Sequence, residues 1–369
     1  MDKLVLLGSG INRVRGIARE GLYMNSGIDI TAPESIRGMV NERCNYRCRY
    51  CSCWQQNEYV EEMSIAEWKQ ALVSLKQFIG TYLIQFSGGE PFIKKGFVDL
   101  LRFCHDQDIA WGVITNGSAL NSKNVAAIVA AKPCNIDISL DSADAAVNDS
   151  VRGAPGSLEA ISRGMKCLLA ERAATAYRFP IRLKPTISRL TYRGLPELVT
   201  WAVEHGADTI DFAPVRPIYE LYWTEAIDAE LWIREPEIND LRAVIETLIE
   251  MKKAGAPIET PSEKLRSFPE HFLRRRLEPG LAPCRVGMRD FHIHANGDVH
   301  VCWEYPPIGN VRLQSAREIW KGARAQEIRA QTVACTRFGT IRCATSCLSH
   351  RTITQEMKRA LLLVRQMAL

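Results

Sequence analysis

The sequence predicts an α/β protein: a parallel β/α unit in the larger N-terminal part and a small α+β unit near the C-terminus. Between residues 35 and 214, short apolar runs alternate with amphipathic segments, a pattern typical of parallel β/α units. A second observation is a β-hairpin signal at Asn296-Gly297 with a cysteine on either side. The third is length, because a chain of 369 residues usually forms more than one domain.

The predicted elements alternate regularly. The strands span residues 35–42, 82–87, 110–115, 135–140, 180–187 and 209–214. The first helix begins at Ser64, where Ser64 and Glu67 form a capping-box pattern, and the later helices span residues 95–106, 121–131, 157–170 and 195–205. Since a TIM barrel has eight strands, this unit is long enough for about three-quarters of a barrel.

The chain divides into four predicted segments. These are an N-terminal cap on the barrel (1–35), the β/α unit (36–215), linker helices (216–283), and a C-terminal domain with a last helix (284–369).

Composition narrows the function. The net charge is +5 and no run of like charges is long enough for a nucleic-acid arm, so we expect no nucleic-acid partner. The apolar opening at residues 4–7 is too short for a signal sequence or a membrane span, and we expect a cytoplasmic protein with no membrane partner. In a reducing compartment, clustered members of the twelve cysteines are typical metal ligands.

The main cluster is Cys44, Cys48 and Cys51. Three thiolates can hold three corners of a cubane iron–sulfur cluster and leave the fourth iron open for chemistry. A structural zinc site is the alternative, although such sites usually have two separated cysteine pairs and four protein ligands. Cys53 follows closely and is interpreted as a bystander.

Two further motifs follow apolar runs: Gly88-Gly89-Glu90-Pro91, and Ser139-Leu140-Asp141. Together with the cysteine triplet, over residues 36–215, they resemble the radical S-adenosylmethionine (SAM) superfamily. The resemblance implies a partial (β/α)6 TIM-like barrel, a [4Fe–4S] cluster on the catalytic Cys44, Cys48 and Cys51, and SAM bound to the open iron. Each motif falls at the carboxyl end of a predicted strand, where such barrels carry their chemistry.

The resemblance also implies contacts to SAM. Gly88 and Gly89 let the backbone approach the methionine amino group, Glu90 fixes the turn, and Pro91 starts the next segment. Tyr50 would lie near the adenine. A simple tight turn and a core aromatic residue are the alternatives.

Polar side chains at other strand ends complete the implied cofactor site. Asn116, Ser139 and Asp141 are expected to contact the ribose or a carboxylate. Arg152 is expected to pair with the methionine carboxylate, with a surface salt bridge as the alternative.

Cys284 and Cys302 flank the predicted hairpin, whose strands contain residues 291–295 and 299–301. This arrangement resembles the twitch or SPASM extensions of radical SAM enzymes and implies an auxiliary [4Fe–4S] cluster. A complete SPASM domain has seven cysteines, whereas this region adds only Cys335, Cys343 and Cys347 to the first two.

Five thiolates suit one auxiliary cluster. The expected ligands are Cys284, Cys302 and Cys347, with either Cys343 or Cys335 as the fourth, and a zinc site with the same ligands is the alternative. Three histidines on the hairpin are interpreted as sheet-surface residues: His292, His294 and His300.

The sequence therefore predicts a radical SAM enzyme that abstracts a hydrogen atom from a small molecule, such as a sugar or nucleoside intermediate. Dehydrogenation, decarboxylation and epimerisation all stay open, and a flavodoxin or ferredoxin is the expected reductant. Maturation of a ribosomally made peptide is the alternative, and a non-catalytic metal-binding protein is a third hypothesis. The auxiliary cluster would transfer electrons or stabilise the fold.

Overall fold

The computed structural model describes residues 3–55, 61–216, 224–274 and 284–335, with side chains from residue 15 onward. Within these residues, parallel strands and helices alternate as the sequence predicts. The first elements are α1 (Lys3–Ser26), β1 (Ser35–Met39), α2 (Ile65–Ile79), β2 (Leu83–Ser87), α3 (Phe97–Asp106), β3 (Ala110–Thr115), α4 (Ser122–Ala130), β4 (Asn135–Ile138), α5 (Ala145–Arg152) and α6 (Ser157–Thr175).

The remaining elements include the short strands that close the β/α unit and the C-terminal hairpin. They are β5 (Ile181–Leu183), β6 (Thr186–Ile187), α7 (Leu195–Glu204), β7 (Thr209–Ile210), β8 (Ala213–Pro214), α8 (Glu225–Leu231), α9 (Ile238–Lys253), α10 (Ser262–Arg266), α11 (Phe268–Phe272), β9 (Asp290–Ile293), β10 (Asp298–His300), β11 (Gly309–Asn310), α12 (Ala316–Lys321) and α13 (Ala323–Val333).

In the described residues, nine strands form one open sheet in the order β11-β10-β9-β1-β2-β3-β4-β5-β7. Neighbours from β9 to β7 run parallel, so their carboxyl ends lie along one edge. The loops after β1, β2, β3 and β4 therefore meet at that edge, which confirms the predicted α/β class and agrees with a partial barrel. Strands β6 and β8 form a separate parallel pair.

The capping box predicted for α2 is present. The Ser64 hydroxyl accepts a hydrogen bond from the Glu67 amide at 3.2 Å, and the Glu67 carboxylate accepts one from the Ser64 amide at 2.8 Å. Such a cap stabilises a helix by about 1 kcal/mol. Trp68 on this helix is fully buried against the sheet.

Two predicted strands are each divided in the structure. Between β5 and β6 lies Pro185, which has no amide hydrogen, and its carbonyl accepts from the Ala213 amide at 3.2 Å. Between β7 and β8, the Phe212 amide donates to the Thr260 hydroxyl at 2.7 Å instead of to a neighbouring strand. The barrel wall is therefore interrupted near its carboxyl edge.

Helix α5 was not predicted. The Asp144 side chain caps its first turn by accepting from the Val147 amide at 3.1 Å, and Gly153 ends it in the left-handed region at φ 57°. These are ordinary start and stop signals. The helix matters because Arg152 is its last residue.

The C-terminal hairpin turns at Asn296-Gly297 as predicted, although only Gly297 has a positive φ, of 93°, so the turn is not of the type I′ that Asn-Gly favours. The hairpin extends the main sheet. β9 pairs in parallel with β1, with Phe291 beside Ile36, and Phe291 packs against Trp320 of α12 with ring centroids 6.2 Å apart. The apolar residues of α9, in the predicted linker, also belong to this core.

The N-terminal segment, predicted as a cap on the barrel, contacts the C-terminal helices. Asp29 forms an ion pair with the fully buried Arg329, and the Trp320 indole donates to the Thr31 carbonyl at 3.0 Å. In the part of the chain that the structure describes, no helix is both long and apolar enough for a membrane span.

Candidate functional site

The loop that carries Cys44, Cys48 and Cys51 begins after β1 and lies against α5. The Cys51 amide donates to the Cys48 carbonyl at 3.1 Å. The Arg47 and Arg49 amides donate to the carbonyls of the last two residues of α5 at 3.2 and 3.0 Å. The end of α5 therefore fixes the backbone between the first and third cysteines.

The Gly88-Gly89 turn supports the other side of the loop. A Cβ atom on Gly89 would lie 1.9 Å from the Arg43 carbonyl oxygen, and Gly88 has φ 154° with a Cβ position 2.5 Å from the Asn41 carbonyl oxygen. Only glycine permits this approach. The structure thus gives these glycines a role towards the cysteine loop, and their predicted approach to SAM stays a prediction.

Glu90 and Pro91 join the ends of β2 and β3. The fully buried Glu90 carboxylate accepts from the Thr115 hydroxyl at 2.8 Å, the Asn116 amide at 2.7 Å and the Phe92 amide at 3.1 Å. Burial raises the pKa of Glu90 to about 7, although these hydrogen bonds favour the carboxylate. This geometry agrees with the predicted turn-fixing role, and the buried Pro91 starts the next helical turn.

Hydrogen-bond donors point at the sulfur atoms. The Tyr46 amide lies 3.4 Å and Asn116 Nδ2 lies 3.9 Å from Cys44 Sγ, while Arg152 Nη1 lies 3.8 Å from Cys48 Sγ. The thiol of Cys53 hydrogen-bonds to Cys51 and lowers the pKa of Cys51. Cys53, interpreted above as a bystander, is therefore a direct neighbour of the triplet.

Tyr50, Asp141 and Arg152 form one buried network. The Tyr50 hydroxyl donates to Asp141 Oδ2 at 2.7 Å, and Arg152 Nε lies 2.9 Å from the same oxygen. Asp141 Oδ1 accepts from the Thr186 amide at 2.7 Å. Arg152 is thus paired inside the protein and not in the surface salt bridge considered as its alternative.

Ser139 lies half-buried at the end of β4, where its amide donates to the Thr115 carbonyl at 2.9 Å. The structure gives its hydroxyl no partner among the described residues. Two nitrogens of Arg152, Nε and Nη2, are buried without a hydrogen-bond partner there, although Nε lies within ion-pair distance of Asp141. The Ser139 hydroxyl and Arg152 Nη2 are thus polar groups that the described residues leave without a hydrogen bond.

Sequence reasoning missed Asn41 and Asn45. Asn41 Nδ2 donates to the Glu90 carbonyl at 2.8 Å, and Asn45 Oδ1 accepts from Asn116 Nδ2 at 2.9 Å. Both residues join the cysteine loop to neighbouring strand ends. Asparagines in a loop carry no spacing signal, so only the fold reveals these contacts.

Tyr305 lies near three of the auxiliary cysteines. Its pKa is raised by burial, by a hydrogen bond with Cys335, and by the thiols of Cys302 and Cys284. Cys284 is buried just before β9, and Cys302 follows β10. Cys343 and Cys347 lie outside the described residues.

In the described ranges, no three His, Cys, Asp or Glu side chains lie close enough to hold a single metal ion. Thiolates on a cubane cluster bind different iron atoms and need not approach one another so closely.

The interpretation of the hairpin histidines as sheet-surface residues was wrong for His292. His292 is only 4% exposed, and the rings of His294 and His300 lie 4.3 Å apart beside Trp303. Burial lowers the pKa of all three imidazoles. His292 is enclosed because β9 is an inner strand, between β1 and β10, whereas His294 and His300 are half-buried.

Two family models match the chain. The radical SAM superfamily model matches residues 39–172, which include the cysteine loop, the glycine turn and α5. An iron–sulfur cluster-binding domain model, SPASM, matches residues 284–347, which include all five auxiliary cysteines.

Enzymes with different activities are similar to most of this chain in sequence. PqqA peptide cyclase of Rhodopseudomonas palustris is 26% identical over 79% of this chain and 74% of the relative. AdoMet-dependent heme synthase of Methanosarcina barkeri is 25% identical over 79% of this chain and 83% of the relative. The fold resembles that of Streptococcus suis SuiB bound to S-adenosylmethionine, with TM-score 0.63 and 18% identity over 85% of this chain and 71% of SuiB.

The residues of the site fit the cofactors that these models imply. Three thiols on one loop, with an amide and a guanidinium directed at their sulfurs, suit an anionic cluster bound through sulfur. The unpartnered Nη2 of Arg152, a residue that contacts Cys48, suits a polar group of a nucleotide bound next to the cluster. The chain therefore belongs to the radical SAM superfamily, as an enzyme with a SPASM domain that uses [4Fe–4S] clusters and S-adenosylmethionine.

Proposed function

We propose that this enzyme oxidises a ribosomally made peptide by hydrogen-atom abstraction. Support comes from PqqA peptide cyclase, a relative that matches 79% of this chain, and from the SuiB fold, which is also known bound to precursor peptide SuiA. A [4Fe–4S] cluster held by Cys44, Cys48 and Cys51 would supply one electron to SAM, giving methionine and a 5′-deoxyadenosyl radical that would remove a hydrogen atom from the substrate.

The catalytic residues in this proposal are Cys44, Cys48 and Cys51, which hold the cluster and leave one iron open. Asn116 and Arg152 donate towards Cys44 and Cys48 and so stabilise negative charge on the sulfurs. We infer that the Ser139 hydroxyl and Arg152 Nη2 bind polar groups of SAM. Gly88 and Gly89 keep the loop close to the strand ends.

For the auxiliary cluster we propose Cys284, Cys302, Cys335 and Cys347 as ligands. Cys335 is chosen as the fourth ligand because its thiol hydrogen-bonds to Tyr305, which lies near Cys284 and Cys302, whereas Cys343 lies outside the described residues. A cluster with four thiolates has no free iron for the substrate, so it would accept an electron from the substrate or stabilise the fold.

A small polar substrate is the second candidate, favoured by a group of charged side chains on and beside β4 and β5. Asp137 of β4 and Arg182 of β5 are paired in register and lie 3.2 Å apart, and Arg182 also lies 3.2 Å from Glu259. Lys184 and Asp211 form a further ion pair beside them. Such groups suit the hydroxyl and carboxylate groups of a sugar or nucleoside.

Anaerobic reconstitution with iron and sulfide tests the proposed clusters. We expect about eight irons per chain and release of 5′-deoxyadenosine when dithionite and SAM are added. Cys48→Ala should abolish that release, whereas Cys302→Ala should lose only part of the iron. Two zinc ions per chain and no deoxyadenosine would contradict the proposal.

The substrate class is tested separately with deuterium-labelled candidates. A precursor peptide encoded beside the gene, if it transfers deuterium to 5′-deoxyadenosine, supports peptide maturation. Transfer only from a labelled sugar or nucleoside favours the second candidate. A flavodoxin- or ferredoxin-type donor and a cytoplasmic location belong to the same proposal, because the cluster must be kept reduced.

A further inference from the structure

Arg152 is a buried cation in contact with the loop that holds the first cluster. The residue is 5% exposed, its Nη1 lies 3.8 Å from Cys48 Sγ, and its guanidinium lies 5.8 Å from the centroid of the Tyr50 ring. A buried guanidinium is costly unless it is paired. The fold pairs this guanidinium with three groups: the Cys48 sulfur, the Tyr50 ring and one carboxylate.

That carboxylate belongs to Asp141, which is fully buried and holds the arginine in place. Asp141 Oδ2 lies 2.9 Å from Arg152 Nε and also accepts from the Tyr50 hydroxyl at 2.7 Å. The guanidinium is therefore fixed on one side by Asp141 and approaches the sulfur with its other end. Since Tyr50 directly precedes Cys51, the same carboxylate also anchors the cysteine loop.

Reduction adds one negative charge to an iron–sulfur cluster. A positive charge and a hydrogen bond at a cysteine sulfur stabilise that added charge and raise the reduction potential. We propose that Arg152 is a positioning residue that raises the potential of the SAM-binding cluster through Cys48 Sγ, and that Asp141 and Tyr50 hold it there. This inference rests on the proposed function, which places that cluster on Cys48.

The role differs from the contact to the methionine carboxylate that the sequence implies. A residue that acts only on SAM would change the affinity for SAM and leave the SAM-free cluster unaffected. A residue that acts on Cys48 changes the cluster before SAM is added. The reduction potential of the SAM-free enzyme distinguishes the two roles.

The test is a redox titration of the reconstituted full-length enzyme, without SAM, followed by electron paramagnetic resonance. A Cys284→Ala/Cys302→Ala background removes the auxiliary signal. In that background we expect Arg152→Gln to shift the midpoint potential of the cluster to a more negative value. Arg152→Lys keeps the positive charge, so its midpoint potential should stay close to that of the chain with Arg152. Unchanged potential in Arg152→Gln overturns the inference.

Arg49 offers a matched control on the same loop. Its side chain is 39% exposed and pairs with Glu230 and Ser150, so Arg49→Gln removes a charge without removing a contact to Cys48. We expect its potential to equal that of the unsubstituted chain. An equal shift in both arginine variants would show a general charge effect and overturn the specific role of Arg152.

A second measurement covers the case in which Arg152→Gln does not assemble a cluster. In enzyme labelled with 15N-arginine, electron–nuclear double resonance of the reduced cluster should detect a nitrogen coupling that disappears in Arg152→Lys. Absence of that coupling overturns the inference. If the unsubstituted enzyme has no reducible cluster at all, the proposed function fails instead.

Discussion

Glu90 shows how one buried carboxyl group can make stability depend on pH. Its native pKa is raised to about 7 by burial, above the value of about 4.3 of a free glutamate. The native state therefore binds more protons than the unfolded state between those values, and its stability falls as pH rises through that range. The loss approaches roughly 4 kcal/mol, at 1.36 kcal/mol for each pKa unit.

Glu90→Gln should remove this dependence. The variant is destabilised by about 1–3 kcal/mol at low pH, because its amide places a donor against another donor, but its free energy of unfolding should fall less steeply between pH 5 and 7. Chemical denaturation at several pH values measures how steeply the free energy of unfolding changes with pH in the native chain and in the variant. Glu250→Gln, with an exposed side chain on α9, is the control for loss of a charge. Parallel curves for the native chain and Glu90→Gln would contradict the prediction.

For single residues, the sequence predicts metal ligands better than it predicts hydrogen-bond networks. Cys44, Cys48 and Cys51 are readable because all three lie in one eight-residue segment. The contact of Tyr50 with Asp141 joins residues 91 positions apart, and no spacing rule predicts such a pair. Tyr50, Asp141 and Arg152 were each expected to face SAM, whereas the structure shows them paired with one another.

The helix end at Gly153 positions the cysteine loop, and its substitution is testable. A Cβ atom there would lie 2.3 Å from the Arg47 carbonyl oxygen, in a residue with φ 57°. Gly153→Ala should therefore destabilise the fold by about 1–2 kcal/mol and also displace the loop, with loss of iron. Iron per chain and thermal unfolding measure the two effects.

Gly156→Ala is the matched control for this experiment. Gly156 has φ 77° and nothing within 4 Å of its Cβ position, so alanine there brings the backbone strain without the collision. We expect a similar loss of stability and a full complement of iron. Equal iron loss in both variants would mean that strain, and not contact with the loop, controls assembly of the cluster.

Elements were predictable where the hydrophobic pattern is long and its ends are marked. Helix α2 has a complete capping box and a buried face with Trp68, and its start was predicted correctly. The eight-residue helix α5 was missed because its buried face is short and mostly polar. It consists of Asn148, Val151 and Arg152. Its cap at Asp144 and its glycine stop were the available signals.

At the scale of the molecule, the pairing of β9 with β1 was beyond sequence reasoning. The paired residues Ile36 and Phe291 are 255 positions apart, and a hairpin signal does not indicate which outer strand it will join. The division into a barrel, a linker and a C-terminal domain stays a prediction. A shared sheet and a continuous apolar core nevertheless indicate that these parts unfold together.

Core substitutions far apart in the chain test this cooperativity. Ile293 of β9 and Ile128 of α4 are both fully buried, and each replacement by alanine should cost about 2–5 kcal/mol. Because both residues belong to one core, both variants should lower the midpoint of the same calorimetric transition. Leu313→Ala, at a side chain that is 83% exposed, should leave it unchanged. If Ile293→Ala shifted one transition and Ile128→Ala another, the hairpin would be an independent domain despite its place in the sheet.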